Sequence, residues 1–435
     1  MKRILLLVSI LFSAGNVARA QESIVRERTG GEVIFVEAHY IVSASDSHTV
    51  IVPYRIRNDF FVFTRSLGSI TDLFTANADA VVEILDSAGN SIARNIDHID
   101  LTSETNAAAD LRKIYTQGLM MFRLPHGKFT VLFRVEDKES KRSSPDVNRP
   151  LLIPHNADKV HSTFIPVHID HNEAHSFTLF NLSGDVQFSK NFGFLFVSEK
   201  KYLHTVRFSI LRVAGDENDK QQTVIDTTVQ PVRYETSTLG FQKLSDRVIA
   251  HVLPNAKSTV YFFPVNGEQL RQGRYEMNVA IDSLSPSKIT FATRWLEMPV
   301  SLTDLDIATY PLQYLLTEED YSTLRRGSRE TRIQKFEEFW KKKDPTPSTA
   351  MNEMMTEFYR RVDHAIGAFR TLKEPNGSLT DRGKIYILYG KPTSTERSLY
   401  PNSTPKEVWK YESLKKTFVF EDQSKQGNYK LAESK

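Results

Sequence analysis

Two places in the sequence gather side chains able to do chemistry. One is a run of imidazoles and carboxylates, His168, Asp170, His171, Glu173 and His175, with His161 a little upstream. Ligands at that density could hold zinc or another divalent ion. In an extended strand, though, His168 and Asp170 share one face while His171, Glu173 and His175 share the other. The spacing matches no standard zinc motif, and the same residues make a solvated turn. The other place is Gly377-Ser378-Leu379-Thr380-Asp381-Arg382-Gly383. Asp381 there could act as a general acid or base, with Thr380 beside it and Arg382 pairing a second carboxylate. Thr380 and Asp381 are equally the residue types that cap backbone N–H groups and fix turns. Asp344, in Asp344-Pro345-Thr346-Pro347, is a further catalytic candidate and also reads as a helix stop.

The elements that must carry these groups change character along the chain. From Glu32 to Asp137 the pattern is β: the apolar runs 33–42 and 49–56, the pair Phe61 and Phe63, a hairpin signal at Asp86-Ser87-Ala88-Gly89-Asn90, and the period-two stretch 128–135. The charged segment 136–148, broken by Pro145, predicts a linker or long loop. Strands resume after it, with Phe192, Phe194 and Phe196 alternating in the manner of a sandwich core. Residues 124–133 resemble residues 270–279 at a constant offset, each with a glycine before an amphipathic strand, so the two β regions read as a diverged repeat. After Pro299 the period becomes helical. A helix is expected over 328–343, a second over 349–372, and then strands at 384–389, 407–411, 417–420 and 429–431. The expected fold is mainly β: two β-sandwich-like domains, 21–140 and 150–300, followed by an α+β domain, 302–435, of helices and then a small antiparallel sheet.

That last region resembles the GWxTD-domain family of exported bacterial proteins. The resemblance rests on Phe339 to Pro347, Asn352-Glu353, Phe358 to Val362, Gly377 to Pro392 and Glu407 to Tyr411. The motif residues Gly377, Thr380, Asp381, Arg382 and Gly383 are present, while Ser378 stands where the family's name-giving tryptophan would be. The resemblance implies β-rich regions upstream and no assigned reaction.

Composition narrows the function further. Cysteine is absent, which excludes disulfides, thiol catalysis and thiolate metal sites. No P-loop, G-x-S-x-G, H-E-x-x-H or dinucleotide fingerprint occurs. Lys2 and Arg3, the apolar run 4–12 and Ala18-Arg19-Ala20 read as a signal peptide over 1–20. Its removal takes Lys+Arg from 56 to 53 against 53 Asp+Glu, a formally neutral mature chain with no electrostatic case for nucleic acid. No later stretch is long and apolar enough for a transmembrane helix. These features predict an exported protein, in the periplasm or outside the cell. The expected activity is that of a non-catalytic binding or assembly factor acting on an envelope protein or cell-envelope polymer. A hydrolase-like enzyme with its site at the Gly377–Gly383 loop is the first alternative, and a metal-dependent protein using the His168–His175 cluster the second. No cofactor is expected beyond that divalent ion.

Overall fold

A computed structural model describes residues 33–43, 46–66, 73–155, 161–169, 175–199, 203–213, 222–282, 286–398 and 403–434. The segment read as a signal peptide lies outside them, as do Asp170, His171 and Glu173. No helix among the described residues is long and apolar enough to cross a membrane. The chain divides into two compact units, one spanning Gly30–Leu296 and the other containing Glu297–Lys435.

The first unit is two sandwiches. In the first, β1 (Ile34–Val36) and β2 (His39–Ile41) pair along one edge of β3 (Ser47–Arg57), and β7 (Tyr115–Pro125) pairs along the other. The facing sheet runs β6–β5–β8–β9, from Ser91–Ser103, Phe74–Leu85, Gly127–Asp137 and Val147–Ile153, with β4 (Thr64–Arg65) on the start of β5. In the second sandwich β10 (Ile165–His168) and β19 (Thr259–Val265) flank β13 (Phe192–Ser198). Its facing sheet runs β15–β14–β20–β21, from Gln222–Val229, Val206–Arg212, Gly273–Ile281 and Ser287–Arg294; β12 (Val186–Gln187) adds in parallel to β21. The two sheet orders are the same, in the Greek-key manner of immunoglobulin-type sandwiches. The repeat read in the sequence is therefore a repeat of structure. Gly127 and Gly273 open equivalent strands at φ 156° and 158°, a conformation that a side chain disfavours. Val131 and Met277, one offset apart, both point inward and are fully buried.

Period-two alternation fills both cores. Phe129, Val131, Phe133 and Val135 on β8 point into the first, and Phe192, Phe194 and Phe196 on β13 into the second. A further apolar cluster lies on the outer faces of the corresponding sheets. Ile41, Val42 and Ile51 from the first sandwich join Leu195, Val197 and Phe262 from the second. β11 (Ser176–Thr178), β18 (Val248–Pro254) and β17 (Ser237–Lys243), a three-stranded sheet, contribute to the same layer; β16 (Val232–Tyr234) pairs with β19. Polar clamps cross it as well: Glu37 accepts from the Leu182 N–H at 2.6 Å and bonds the His39 ring at 2.7 Å, and Asn181 donates to the Tyr54 carbonyl at 2.6 Å. The apolar run 33–42 forms two short strands rather than one, with Glu37 between them.

Of the two readings of 136–148, linker or long loop, the structure shows the loop: it joins β8 to β9, which pair with each other. Asp137 is fully buried and accepts from the N–H groups of Val62 and Ser140 and from the Ser140 hydroxyl. β9 follows and completes the sheet, so the first sandwich continues past 140 to Ile153. Charge and proline marked a turn here, and the buried carboxylate makes it compact.

The second unit holds α1 (Leu305–Thr309), α2 (Glu318–Arg325), α3 (Arg329–Lys341), α4 (Glu353–Ala368) and α5 (Asp381–Tyr389), then the antiparallel sheet β22 (Ser394–Ser398), β23 (Lys406–Tyr411), β24 (Lys416–Glu421) and β25 (Lys430–Ser434). Each helix has a side-chain cap: Asp304, Thr317, Ser328, Asn352 and Thr380. Trp340, Tyr359, Val362, Ile387, Trp409 and Phe420 form its core. The stretch 384–389 is helical, against the expected strand. Ile385 and Ile387 are both buried, and a run this short, with Lys384 its only charged residue, does not reveal its period. The Thr380 cap and Gly390, at φ 78°, set the helix ends.

Candidate functional site

The Gly377–Gly383 segment links α4 to α5 by a single 3-10 turn, Gly377–Leu379. Asn376 opens it, accepting from the Ser378 N–H at 3.1 Å and from the Ser378 hydroxyl at 2.7 Å. Ser378, at the tryptophan position, is buried, and its carbonyl takes the Tyr314 hydroxyl at 2.8 Å. Burial pushes the Tyr314 phenol up to about 12, so the hydroxyl stays a donor. Thr380 Oγ1 donates to the Gly377 carbonyl at 2.8 Å and accepts from the Gly383 N–H at 3.1 Å. Its hydroxyl is thus consumed in capping α5.

The glycines serve close approach rather than unusual dihedrals. A Cβ on Gly383 would stand 2.0 Å from the Gly377 carbonyl oxygen, and one on Gly377 2.2 Å from the Ala365 carbonyl oxygen. Backbone touches backbone there, and any side chain would force the turn away from both helices.

Asp381 and Arg382 leave the loop for different partners. Asp381, about one-third exposed, accepts from the Leu431 N–H at 2.8 Å and so ties the first turn of α5 to β25. Arg382 is buried. It pairs with Glu407 at 3.0 Å, donates to the Gly427 carbonyl at 3.4 Å and lies 4.4 Å over the Tyr429 ring. Glu407 is 2% exposed and also accepts from Trp409 Nε1 at 2.7 Å and from Arg397. Burial alone would raise the neighbouring Asp422 carboxyl, but hydrogen bonds from Ser424 and the Gly427 N–H hold it below the usual range. Glu407 and Trp409 carry part of the family resemblance, but neither they nor Tyr429 stand among the candidate site residues read from the sequence. Glu407 and Trp409 sit two apart on one strand, so period two places them on the same face as each other.

Asp344 accepts from the Thr346 N–H at 2.9 Å within its own turn. A groove of about 230 Å³ does open in this unit, beside Trp340, Lys343, Met354, Glu357, Arg361 and Leu388. Neither Asp344 nor any residue of the Gly377–Gly383 turn lines it. Of the histidine cluster, the described members are His168, whose ring packs 3.9 Å from that of Phe180, and His175, 5.1 Å from Tyr234 and at φ 71°. Among the described residues no group of three or more ligand-type side chains is placed to hold a metal ion.

No curated protein matches the chain. Among solved structures, a red sea bream transglutaminase is similar over 63% of this chain and 33% of that one, at 8% identity and a TM-score of 0.16. The chain spans about a third of that protein's length, and at such a score the likeness carries nothing on fold or chemistry. The family comparison falls where the clasp between α4 and α5 lies. It begins at Tyr275 in β20 and runs through that clasp to the last residue: residues 275–435 match the GWxTD domain, and the C-terminal region of this chain is a GWxTD domain.

Proposed function

We propose that the chain is an exported envelope protein that works by binding, as an assembly or adaptor factor for another protein or a cell-envelope polymer. The observation that carries this reading is the use made of the candidate catalytic groups. Thr380 caps a helix, Asp381 holds a strand, Arg382 neutralises a buried glutamate and Asp344 closes its own turn. An acid–base pair must instead converge on space that a substrate can enter. Two sandwiches, the second of which overlaps the start of the GWxTD match at Tyr275, offer surface for contact.

Reversible crosslinking of the chain in its native cell, followed by capture, should return the same protein or polymer in repeated preparations. Failure to recover any reproducible partner would count against the binding reading. Asp381→Ala separates clasp from catalyst. Loss of the bond to the Leu431 N–H should cost about 1 kcal/mol and lower the melting temperature of the C-terminal unit. An unchanged melting temperature, joined to loss of a hydrolytic activity found in the wild type, would move the assignment to the enzyme reading.

A further inference from the structure

The two sandwich sheets of the first repeat end in edges of opposite character. β6, on one sheet, carries Arg94, Asp97, His98 and Asp100, with ion pairs from His98 to Asp79 and from Lys243 to Asp97. Charges of this kind keep other strands from pairing with an edge. β7, on the other sheet, is an eleven-residue strand that pairs only with β3 among the described strands. Its one charged residue is Arg123, and it has neither a bulge nor an interior proline. Met120 and Leu124 point into the core, which turns Leu119, Met121 and Arg123 to the opposite face.

Beside that face lies a groove of about 470 Å³, bounded by Thr49 and Met121 on one side and by the β17–β18 hairpin on the other. Met121 is 53% exposed and Leu253 46% exposed, an apolar pair left open to water. Gly240, in the middle of β17, forms part of the groove: a Cβ there would stand 2.3 Å from Leu253, so the glycine lets Leu253 lie flat and keeps the floor low. The close approach that Gly240 permits is that of the Leu253 side chain, from the paired strand β18. Arg123, opposite Thr49 in the β3–β7 register, is exposed, and its side chain has no ion-pair or hydrogen-bond partner among the described residues.

We propose that the free edge of β7 and the groove beside it receive an extended segment of a partner protein, apolar at alternate positions and bearing a carboxylate where it meets Arg123. Main-chain pairing with β7 would supply affinity, and the groove and the cation would supply selectivity and direction. This rests on the binding reading above and names the kind of partner that it needs.

The test is to pan a library of random decapeptides displayed on phage against the purified full chain, and then to synthesise the enriched sequence. The expected consensus alternates apolar residues and carries an aspartate or glutamate. Its binding should weaken at least about tenfold with Met121→Asp and with Arg123→Glu, persist with Ile96→Asp on β6, and slow amide exchange along β7. A consensus without alternation, affinity unchanged in both variants, or β7 amides left unprotected would overturn the proposal. Should Met121→Asp fail to fold, Arg123→Glu carries the comparison, since the Arg123 side chain is exposed and makes no ion pair or hydrogen bond among the described residues. In the crosslinking experiment, partner capture that survives both variants sinks this surface and leaves the binding reading standing; no capture by the wild type sinks the reading itself.

Discussion

Gly383 shows what a single atom can decide. Its Cα rests against the Gly377 carbonyl, where an added Cβ would lie at 2.0 Å. Because the obstacle is backbone, no rotamer change relieves it, and Gly383→Ala should destabilise the C-terminal unit by about 2–3 kcal/mol. Urea denaturation followed by Trp fluorescence measures it, Trp340 and Trp409 both lying in that core. An alanine variant as stable as wild type would mean the turn can yield. Glu407 makes a second case. It faces Arg382 in a site where both are buried, so Glu407→Gln leaves a guanidinium without its counter-charge and should cost about 3 kcal/mol. Replacing the pair together, Arg382→Met with Glu407→Met, should recover part of that loss in the same denaturation experiment.

On β3, His48 is buried and accepts from the Ser43 N–H through Nδ1 at 3.1 Å, which puts its proton on Nε2. The His126 ring lies 4.9 Å away, with His155 stacked on it at 4.7 Å. Burial, and then the neighbouring His126, lower the His48 pKa. The folded state therefore binds fewer protons than the unfolded chain once the pH falls below about 6.5. Stability present above that pH should decline as the solution is acidified, and His126→Gln should lessen the decline. Urea midpoints at pH 7.5 and 5.5 would show it; equal midpoints would refute it.

Elements differ in how openly the sequence declares them. The alternation Phe192, Phe194, Phe196 needed only period two, and all three are buried. The same holds for 128–135, and for the glycine-led repeat, whose backbone conformation matches in both copies. The helix over 381–389 is hidden because its apolar part, 385–389, is too short to give the period. Likewise the segment 136–148 reads equally as a linker or a long loop, and the choice of loop depends on the buried Asp137 and its bond from Val62, distant in sequence. At the candidate site, Thr380 and Arg382 were legible as a cap and as a carboxylate partner. The identity of that carboxylate, Glu407, depends on how β23 packs, and local sequence carries no trace of tertiary packing.

Over the first unit as a whole, the layer made by Ile41, Val42, Ile51, Leu195, Val197 and Phe262 joins the two sandwiches through the outer faces of equivalent sheets. The fragment 33–155 should then bind a hydrophobic dye and self-associate, while residues 30–296 should not. Light scattering and dye fluorescence on the two would decide it, and a fragment that stays dispersed and dye-free would show that the layer is dispensable. The same arrangement sets a timetable. Synthesis runs from the N-terminus, so the first sandwich can close its inner core once Ile153 has emerged, yet its outer face waits for strands that end at Val265. For the time needed to make that stretch of chain, a newborn molecule displays a greasy plate to its neighbours. A holding chaperone that covers it would raise the yield of native protein, most of all where many copies emerge side by side.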